Sequence, residues 1–342
     1  MISVYDFFSG CGGASSGFKA AGLNIQFGLD IDPDAAATFR LNFPSAHFLQ
    51  NDIRNVQPKE LESYINPKHK TLFCGCAPCQ PFSKQNKRKY IDDGRTNLPQ
   101  EFCRFIKYYK PDFIFVENVP GMQSFRIGNS PLEPFLRDLE EYGYINPQIA
   151  VLSAADYGVP QYRKRLIIIA ALRHDIAFPT PTHGEASDTP YSTVGDWIAG
   201  LPVLKAGEVN ANDPDHCAMK LSSLNLIRIG ATPEGGGRAD WPSALTLECH
   251  KSHSGHTDVY GRLAYNKPSC TLTTKCYSYS NGRYGHPFED RALSIREAAC
   301  LQTFPRSFAF MGTMTSKARQ VGNAVPPLLS QQIGKVFKEL DR

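Results

Sequence analysis

Cys79 and Glu117 are the two residues of this chain best suited to covalent chemistry. Cys79 stands in Gly75-Cys76-Ala77-Pro78-Cys79-Gln80-Pro81-Phe82-Ser83, and Glu117 in Phe115-Val116-Glu117-Asn118-Val119-Pro120. A thiolate is a strong nucleophile even when only partly ionised at neutral pH. A carboxyl beside it can stabilise the charge that its attack creates, so the pair suits addition to an electron-poor ring. Taken singly, a free cysteine is most often a small buried hydrophobe, and a loop glutamate can be an ion-pair partner. The context favours chemistry. Residues 71–74 and 113–116 read as buried strands too short for helices, and Pro78 and Pro120 stop each run. Both groups then fall in loops at strand carboxyl ends, the edge where open α/β sheets bind ligands.

The elements that must position them alternate through the first 172 residues. Strands are predicted at Val4–Phe8, Ile25–Leu29, Leu72–Cys74, Asp112–Val116, Gln148–Leu152 and Arg165–Ala171. Helices are predicted at Ala14–Ala21, Pro33–Asn42, Gln100–Tyr109, Pro131–Tyr142 and Pro327–Leu340. This alternation predicts a doubly wound, mainly parallel α/β sheet covered on both faces. From Pro179 to Asp290 the chain turns rich in Gly, Pro, Ser, Thr and His, which predicts a smaller, irregular, β-rich domain. The expected division is 1–178 with 318–342 against 179–317. A length of 342 residues suits two domains, since single cores rarely grow past roughly 250–300 residues. With 42% hydrophobic and 20% charged residues the chain is globular rather than disordered. No apolar run approaches the roughly 20 residues of a membrane span, and no signal peptide is visible. A cytoplasmic protein with reduced thiols is expected, and no heptad or apolar interface argues against a monomer.

A third motif supplies a ligand. Asp6-Phe7-Phe8-Ser9-Gly10-Cys11-Gly12-Gly13-Ala14 is a strand entering a glycine turn and a helix, where backbone can approach a ligand closely. An acid follows at the end of the next strand, in Gly28-Leu29-Asp30-Ile31-Asp32, where a carboxylate can accept from both hydroxyls of a ribose. Asn51-Asp52-Ile53, after a third strand, could serve an adenine amino group. Together these predict a nucleoside cofactor. Attack by Cys79 on carbon 6 of a cytosine would make carbon 5 nucleophilic, with Glu117 at ring nitrogen 3. A methyl donor at the glycine turn could then be used, and loss of the carbon 5 proton would expel the thiol.

Further signals are weaker. Gln161-Tyr162-Arg163-Lys164-Arg165 opens an apolar strand, and alternation puts Arg163 and Arg165 on one face. From Gln80 to Asn97, Lys84, Lys87, Arg88, Lys89 and Arg95 outnumber Asp92 and Asp93; beside a nucleophile, this could hold a polyanion. Cys74, Cys76 and Cys79 lack the second cluster of a zinc site. Cys249, His250, His253 and His256 form a better metal-like cluster, though a loop touching phosphates or bases is the preferred reading, and no metal is expected.

In order along nearly the whole chain, these segments resemble the cytosine-5 DNA methyltransferases. Pro78-Cys79-Gln80, Glu117-Asn118-Val119 and a late Gly322-Asn323-Ala324-Val325 make that combination highly specific. The resemblance implies a Rossmann-like methyltransferase domain with a target-recognition domain, acting on double-stranded DNA. It implies S-adenosylmethionine as cofactor, left as S-adenosylhomocysteine, in a pocket of Phe8, Gly10, Gly12, Asp30, Ile31, Asp52, Ile53, Pro78, Leu98, Asn323 and Val325. Cys79 becomes the nucleophile, while Glu117, Arg163 and Arg165 hold a cytosine extruded from the duplex, because carbon 6 is inaccessible in a stacked base. Residues 80–97 would close over DNA, with contacts from Gln80, Ser83, Gln85, Lys87 and Arg88; Arg262, Thr271 and Lys275 would add groove or phosphate contacts. Enzymes of this size and type often belong to restriction–modification systems, which would pair this one with an endonuclease of the same site. One departure is Cys300, where the family commonly has arginine. A tRNA methyltransferase of the same family and a thiol or metal-binding protein are the competing readings. The latter leaves Asp30 and Glu117 unexplained.

Overall fold

The computed structural model describes residues 1–78, 98–122, 132–251, 255 and 257–341. The chain separates into two compact units: Met1–Tyr157, Lys164–Pro181 and Val325–Arg342 form the first, and Gly158–Arg163 with Thr182–Ala324 the second. These bounds depart from the expected ones at three points, the smallest being that residues 179–181 stay with the first unit. Gly158–Arg163 groups with the second unit because its backbone pairs with residues 269–272: Ser269 N donates to Pro160 O at 2.8 Å and Tyr162 N to Ser269 O at 2.9 Å. The helix Met314–Asn323 joins the same unit, and there Gly322 is required by space, since a Cβ would stand 2.3 Å from the carbonyl carbon of Thr273.

Strands β1 (Ile2–Phe7), β2 (Asn24–Asp30), β3 (His47–Gln50), β4 (Lys70–Gly75), β5 (Phe113–Asn118), β6 (Ile145–Ser153) and β7 (Lys164–Ala171) build the first unit. Their order is β3-β2-β1-β4-β5-β7-β6. The first five run parallel, and β7 is antiparallel to both of its neighbours. The chain winds outward from β1 to β3 and then in the other direction from β4, so a crevice opens between the carboxyl ends of β1 and β4.

Helices cover both faces. On one, Phe7 of β1 meets Phe102 and Phe105 of α3 (Leu98–Tyr109) with ring centroids 5.1 and 5.0 Å apart, and α4 (Leu132–Glu141) contributes Phe135 and Leu139 to the same core. On the other, Phe115 stands edge-on to Phe18 of α1 (Gly13–Ala20), and Phe113 packs on Phe337 of the last helix, Pro327–Glu339. The helix Pro33–Asn42, α2, begins cleanly because the Asp32 side chain accepts from the N–H groups of Asp34 and Ala35.

The second unit is irregular as expected but not β-rich. Among the described residues it holds isolated bridges and short helices rather than strands. Frequent Gly and Pro interrupt ladders, and buried arginines supply the missing hydrogen bonds. Arg291 is fully buried and donates to both carboxylate oxygens of Glu297 at 2.7 Å. Among the described residues no helix is long and apolar enough to cross a membrane.

Two covering helices approach closely at Gly17, where a Cβ would stand 2.0 Å from Pro327 O and 2.1 Å from Ser330 Oγ. Gly17→Val should therefore destabilise the protein by roughly 1–3 kcal/mol, the usual cost of overpacking. Thermal unfolding checks this; an unchanged Tm would contradict the close approach.

Candidate active site

Strand register sets the geometry. Leu29 pairs with Phe7, Phe7 with Gly75, and Gly75 with Val116, forming one row across β2, β1, β4 and β5. One residue further on, at the carboxyl edge, come Asp30, Phe8, Cys76 and Glu117. With strands about 4.8 Å apart, that row spans roughly 14 Å.

At the β1 end the chain turns through Phe8, Gly10 and Gly12, whose φ angles are 58°, 52° and 92°. Gly10 suits this conformation, and nothing lies within 4 Å of the place its Cβ would occupy, so the turn is an open cradle. Its rim is the Asp30 carboxylate, which accepts from Gly10 N at 2.8 Å and from Asp32 N at 2.9 Å. Burial raises the Asp30 carboxyl above the usual range. Each oxygen keeps lone-pair capacity for a ligand hydroxyl, and the neighbouring Ile31 is 62% exposed, a free apolar surface. An anchored acid, an open backbone and an exposed aliphatic face fit a nucleoside.

Behind the cradle lies Asp6, which sequence reading passed over. It is fully buried and accepts from Ser15 Oγ at 2.6 Å, tying β1 to the first turns of α1. Burial pushes its carboxyl up to about 6, opposed by the Ser15 hydrogen bond. An acidic residue in a strand otherwise buried end to end was the available signal.

At the other end of the row, Glu117 Oε1 lies 2.7 Å from Arg165 Nε, with both side chains nearly buried. Arg165 reaches it from β7, whose pairing sets Ile167 opposite Glu117. The Asn118 amide donates to Ala77 O at 3.4 Å, and its Oδ1 accepts from Val119 N at 2.8 Å. The loops after β4 and β5 thus leave the sheet side by side. Phe8, Ala77, Val116 and Asn118 line one small apolar hollow between the two ends of the row.

Several expected site residues are placed differently. Arg163 does not share a strand face with Arg165, because β7 begins at Lys164. It is buried in the second unit, donating to Leu272 O and Gly322 O at 2.9 Å and to Ala324 O at 3.2 Å. Three backbone carbonyls, not a base, occupy it. Arg262 is likewise turned inward and 4% exposed, donating to Thr232 O at 2.7 Å, His286 O at 2.9 Å and Glu289 O at 2.6 Å, and pairing with Asp290. With its fork filled it is not a groove contact. Asp52 is taken by Arg54, whose Nη2 lies 2.5 Å away and whose hydrogen bonds hold the carboxyl below its ordinary range. Ile53 and Leu98 are core residues, and Pro78 is exposed at the end of the described β4 loop.

Thr271 donates to Tyr162 O at 2.6 Å, and Lys275 is exposed. Asn323 ends its helix exposed in the second unit, whereas Val325 begins the last segment of the first. Cys79, Gln80, Ser83, Gln85, Lys87, Arg88, His253 and His256 lie outside the described residues. Cys249 is exposed, and the Cys74 and Cys76 sulfurs are 3.8 Å apart; among the described residues no three His, Cys, Asp or Glu side chains could hold a metal ion.

The fold and the row of groups define an open α/β enzyme with a nucleoside cradle beside a carboxylate pocket. Comparison with known proteins identifies it further. The profile of the C-5 cytosine-specific DNA methylases matches residues 2–339, and the chain belongs to that family. It is 40% identical to the type II methylase M.HgiDII of Herpetosiphon aurantiacus, over 98% of this chain and 95% of that one. It is 37% identical to the type II methyltransferase M1.HphI of Haemophilus parahaemolyticus, over 99% and 87%. A crystal structure assigned as a prophage-encoded DNA modification methyltransferase of E. coli shares the fold, with a TM-score of 0.78 over the whole of both chains at 24% identity. The enzyme is thus a DNA (cytosine-5) methyltransferase that uses S-adenosylmethionine and leaves S-adenosylhomocysteine, and the tRNA reading gives way. The cradle fits that cofactor: Asp30 suits its ribose hydroxyls and Ile31 its adenine face.

Asp6 yields a pH-dependent prediction. Its carboxyl is raised in the fold, so its contribution is fully present below about pH 4 and is lost as pH rises through about 6. Asp6→Asn avoids that loss. Its stability relative to the unaltered protein should therefore rise between pH 4 and 7 by roughly 3 kcal/mol, then level off. Denaturant unfolding across this range is the measurement; a difference independent of pH would contradict the assignment.

Proposed function

We propose that Cys79 is the nucleophile and that Glu117, held by Arg165, binds the target cytosine after its extrusion from duplex DNA. The observation carrying this reading is the Glu117–Arg165 pair, one residue beyond the row at which the cysteine-bearing loop leaves β4. The Cys79 thiolate adds to carbon 6, forming the C–S bond while the ring electrons move toward carbon 5 and nitrogen 3. Arg165 fixes one oxygen of Glu117, and the other, carrying a proton, donates to nitrogen 3 and stabilises the negative charge that the attack places on the ring. When bound, S-adenosylmethionine supplies an electrophilic methyl group for carbon 5. Transfer of the carbon 5 proton to a water molecule then restores the double bond between carbons 5 and 6 and expels the thiolate. Asp30 and the Gly10–Gly12 turn hold and orient the donor.

The reading extends to context. The type II relatives support a restriction–modification role, with a cognate endonuclease cutting the same unmethylated site. A monomer acting in the cytoplasm on nucleoid DNA suits that role. The second unit, with Thr271 and Lys275 in it, would be the target-recognition domain.

Incubation with tritiated S-adenosylmethionine and unmethylated plasmid DNA, followed by bisulfite sequencing, tests the activity and gives the recognised motif. Label on one short cytosine-containing motif is expected, and none on tRNA. Cys79→Ser should abolish transfer while leaving cofactor affinity within about twofold; retained turnover would refute the nucleophile. Glu117→Gln should lower kcat by about 10²-fold or more, the scale of losing a transition-state hydrogen bond, with DNA still bound. A rate like that of the unaltered enzyme would remove Glu117 from the chemistry.

A further inference from the structure

Gln161 and Arg163 point inward, whereas Tyr162 between them is 52% exposed. Its backbone is pinned on both sides, with Tyr162 N donating to Ser269 O at 2.9 Å and Thr271 Oγ1 donating to Tyr162 O at 2.6 Å. Beneath this, Gln161 Oε1 accepts from Leu272 N at 2.9 Å, so the two segments run side by side as one rigid ledge. The Tyr162 ring is braced edge-on by Tyr191, centroids 5.9 Å apart. A large aromatic surface is thus displayed in a fixed place, at little further cost in side-chain freedom.

The ledge is cationic. Lys267 and Lys275 are exposed on the paired segment, and neither residues 158–165 nor residues 266–275 contain an acid. In sequence, Tyr162 stands three positions before Arg165. An exposed aromatic face on paired segments that carry exposed lysines and no acid suits a nucleobase with its flanking phosphates, since every base offers a π-face and lysines position the backbone.

We propose that Tyr162 is a DNA-binding residue that stacks on a nucleobase beside the target cytosine, with Lys267 and Lys275 holding the adjoining phosphates. This rests on the reading of the site given above. Extrusion leaves bases unstacked around the target, and a preformed aromatic surface offsets part of that cost.

Steady-state methylation of unmethylated plasmid DNA tests the idea with Tyr162→Ala, Tyr162→Leu and Tyr162→Phe, each checked for Tm and for S-adenosylmethionine affinity. Ala and Leu should raise KM for DNA about tenfold, toward the lower end of what one lost base–aromatic stack removes. Phe should restore most of the affinity, and cofactor affinity should stay within twofold in all three. A KM within twofold of the unaltered enzyme for Leu, or a loss with Phe equal to that with Leu, would overturn stacking. If Ala fails to fold, the Leu and Phe comparison decides. Failure of the unaltered enzyme to methylate DNA would instead overturn the reading of the site itself.

Discussion

The register of four parallel strands is the constraint on which the site depends. Because Leu29, Phe7, Gly75 and Val116 sit in one hydrogen-bonded row, the residues after them emerge together at one edge. A slip of one residue in any strand would turn its functional group onto the opposite face. Packing on both faces opposes such a slip. Tyr5, Phe7, Phe27 and Phe73 fill one side, while Phe113 and Phe115 meet Phe337 and Phe18 on the other. The aromatic core therefore does more than stabilise the sheet; it fixes which atoms stand at its edge.

Polar groups at that edge are restrained by their neighbours rather than by long-range fields. Asp30 is held by two main-chain N–H groups, Glu117 by one guanidinium, and the two adjacent loops by the Asn118 amide. Each restraint leaves part of the group available, which is the condition for binding a ligand without first breaking the fold. Arg163 and Arg262 illustrate the opposite case. Their forks are filled by backbone carbonyls of loop-rich segments, and they do the work that strands would do in a more regular domain.

Much of this was legible in the sequence. Short apolar runs placed Phe8, Asp30 and Glu117 near strand carboxyl ends, because termination chemistry is local; Glu117, expected in the loop, is still paired within β5, which runs to Asn118, and Cys79 lies outside the described residues. The order of motifs along the chain carried the family. What escaped was set by distant partners. Alternation in Arg163-Lys164-Arg165 suggested one shared face, yet the strand begins at Lys164, and Arg163 is captured by carbonyls from residues 272, 322 and 324. The charge of Arg262 suggested DNA, while the structure turns it inward toward Thr232, His286 and Glu289. Asp52 was read without Arg54 two positions away, a partner that local inspection could have found. The Gly- and Pro-rich segment was correctly read as irregular, but its β content was overestimated, since composition gives no account of ladders.

The account turns on a covalent bond between Cys79 and carbon 6 of cytosine, whose release requires a proton on carbon 5. DNA synthesised with 5-fluorocytosine in place of cytosine removes that proton and should arrest the enzyme after methyl transfer. Mass spectrometry of the digested complex should find the nucleotide attached to the peptide containing Cys79, and only when S-adenosylmethionine is present. No adduct, or one carried by Cys74 or Cys76, would contradict the central claim.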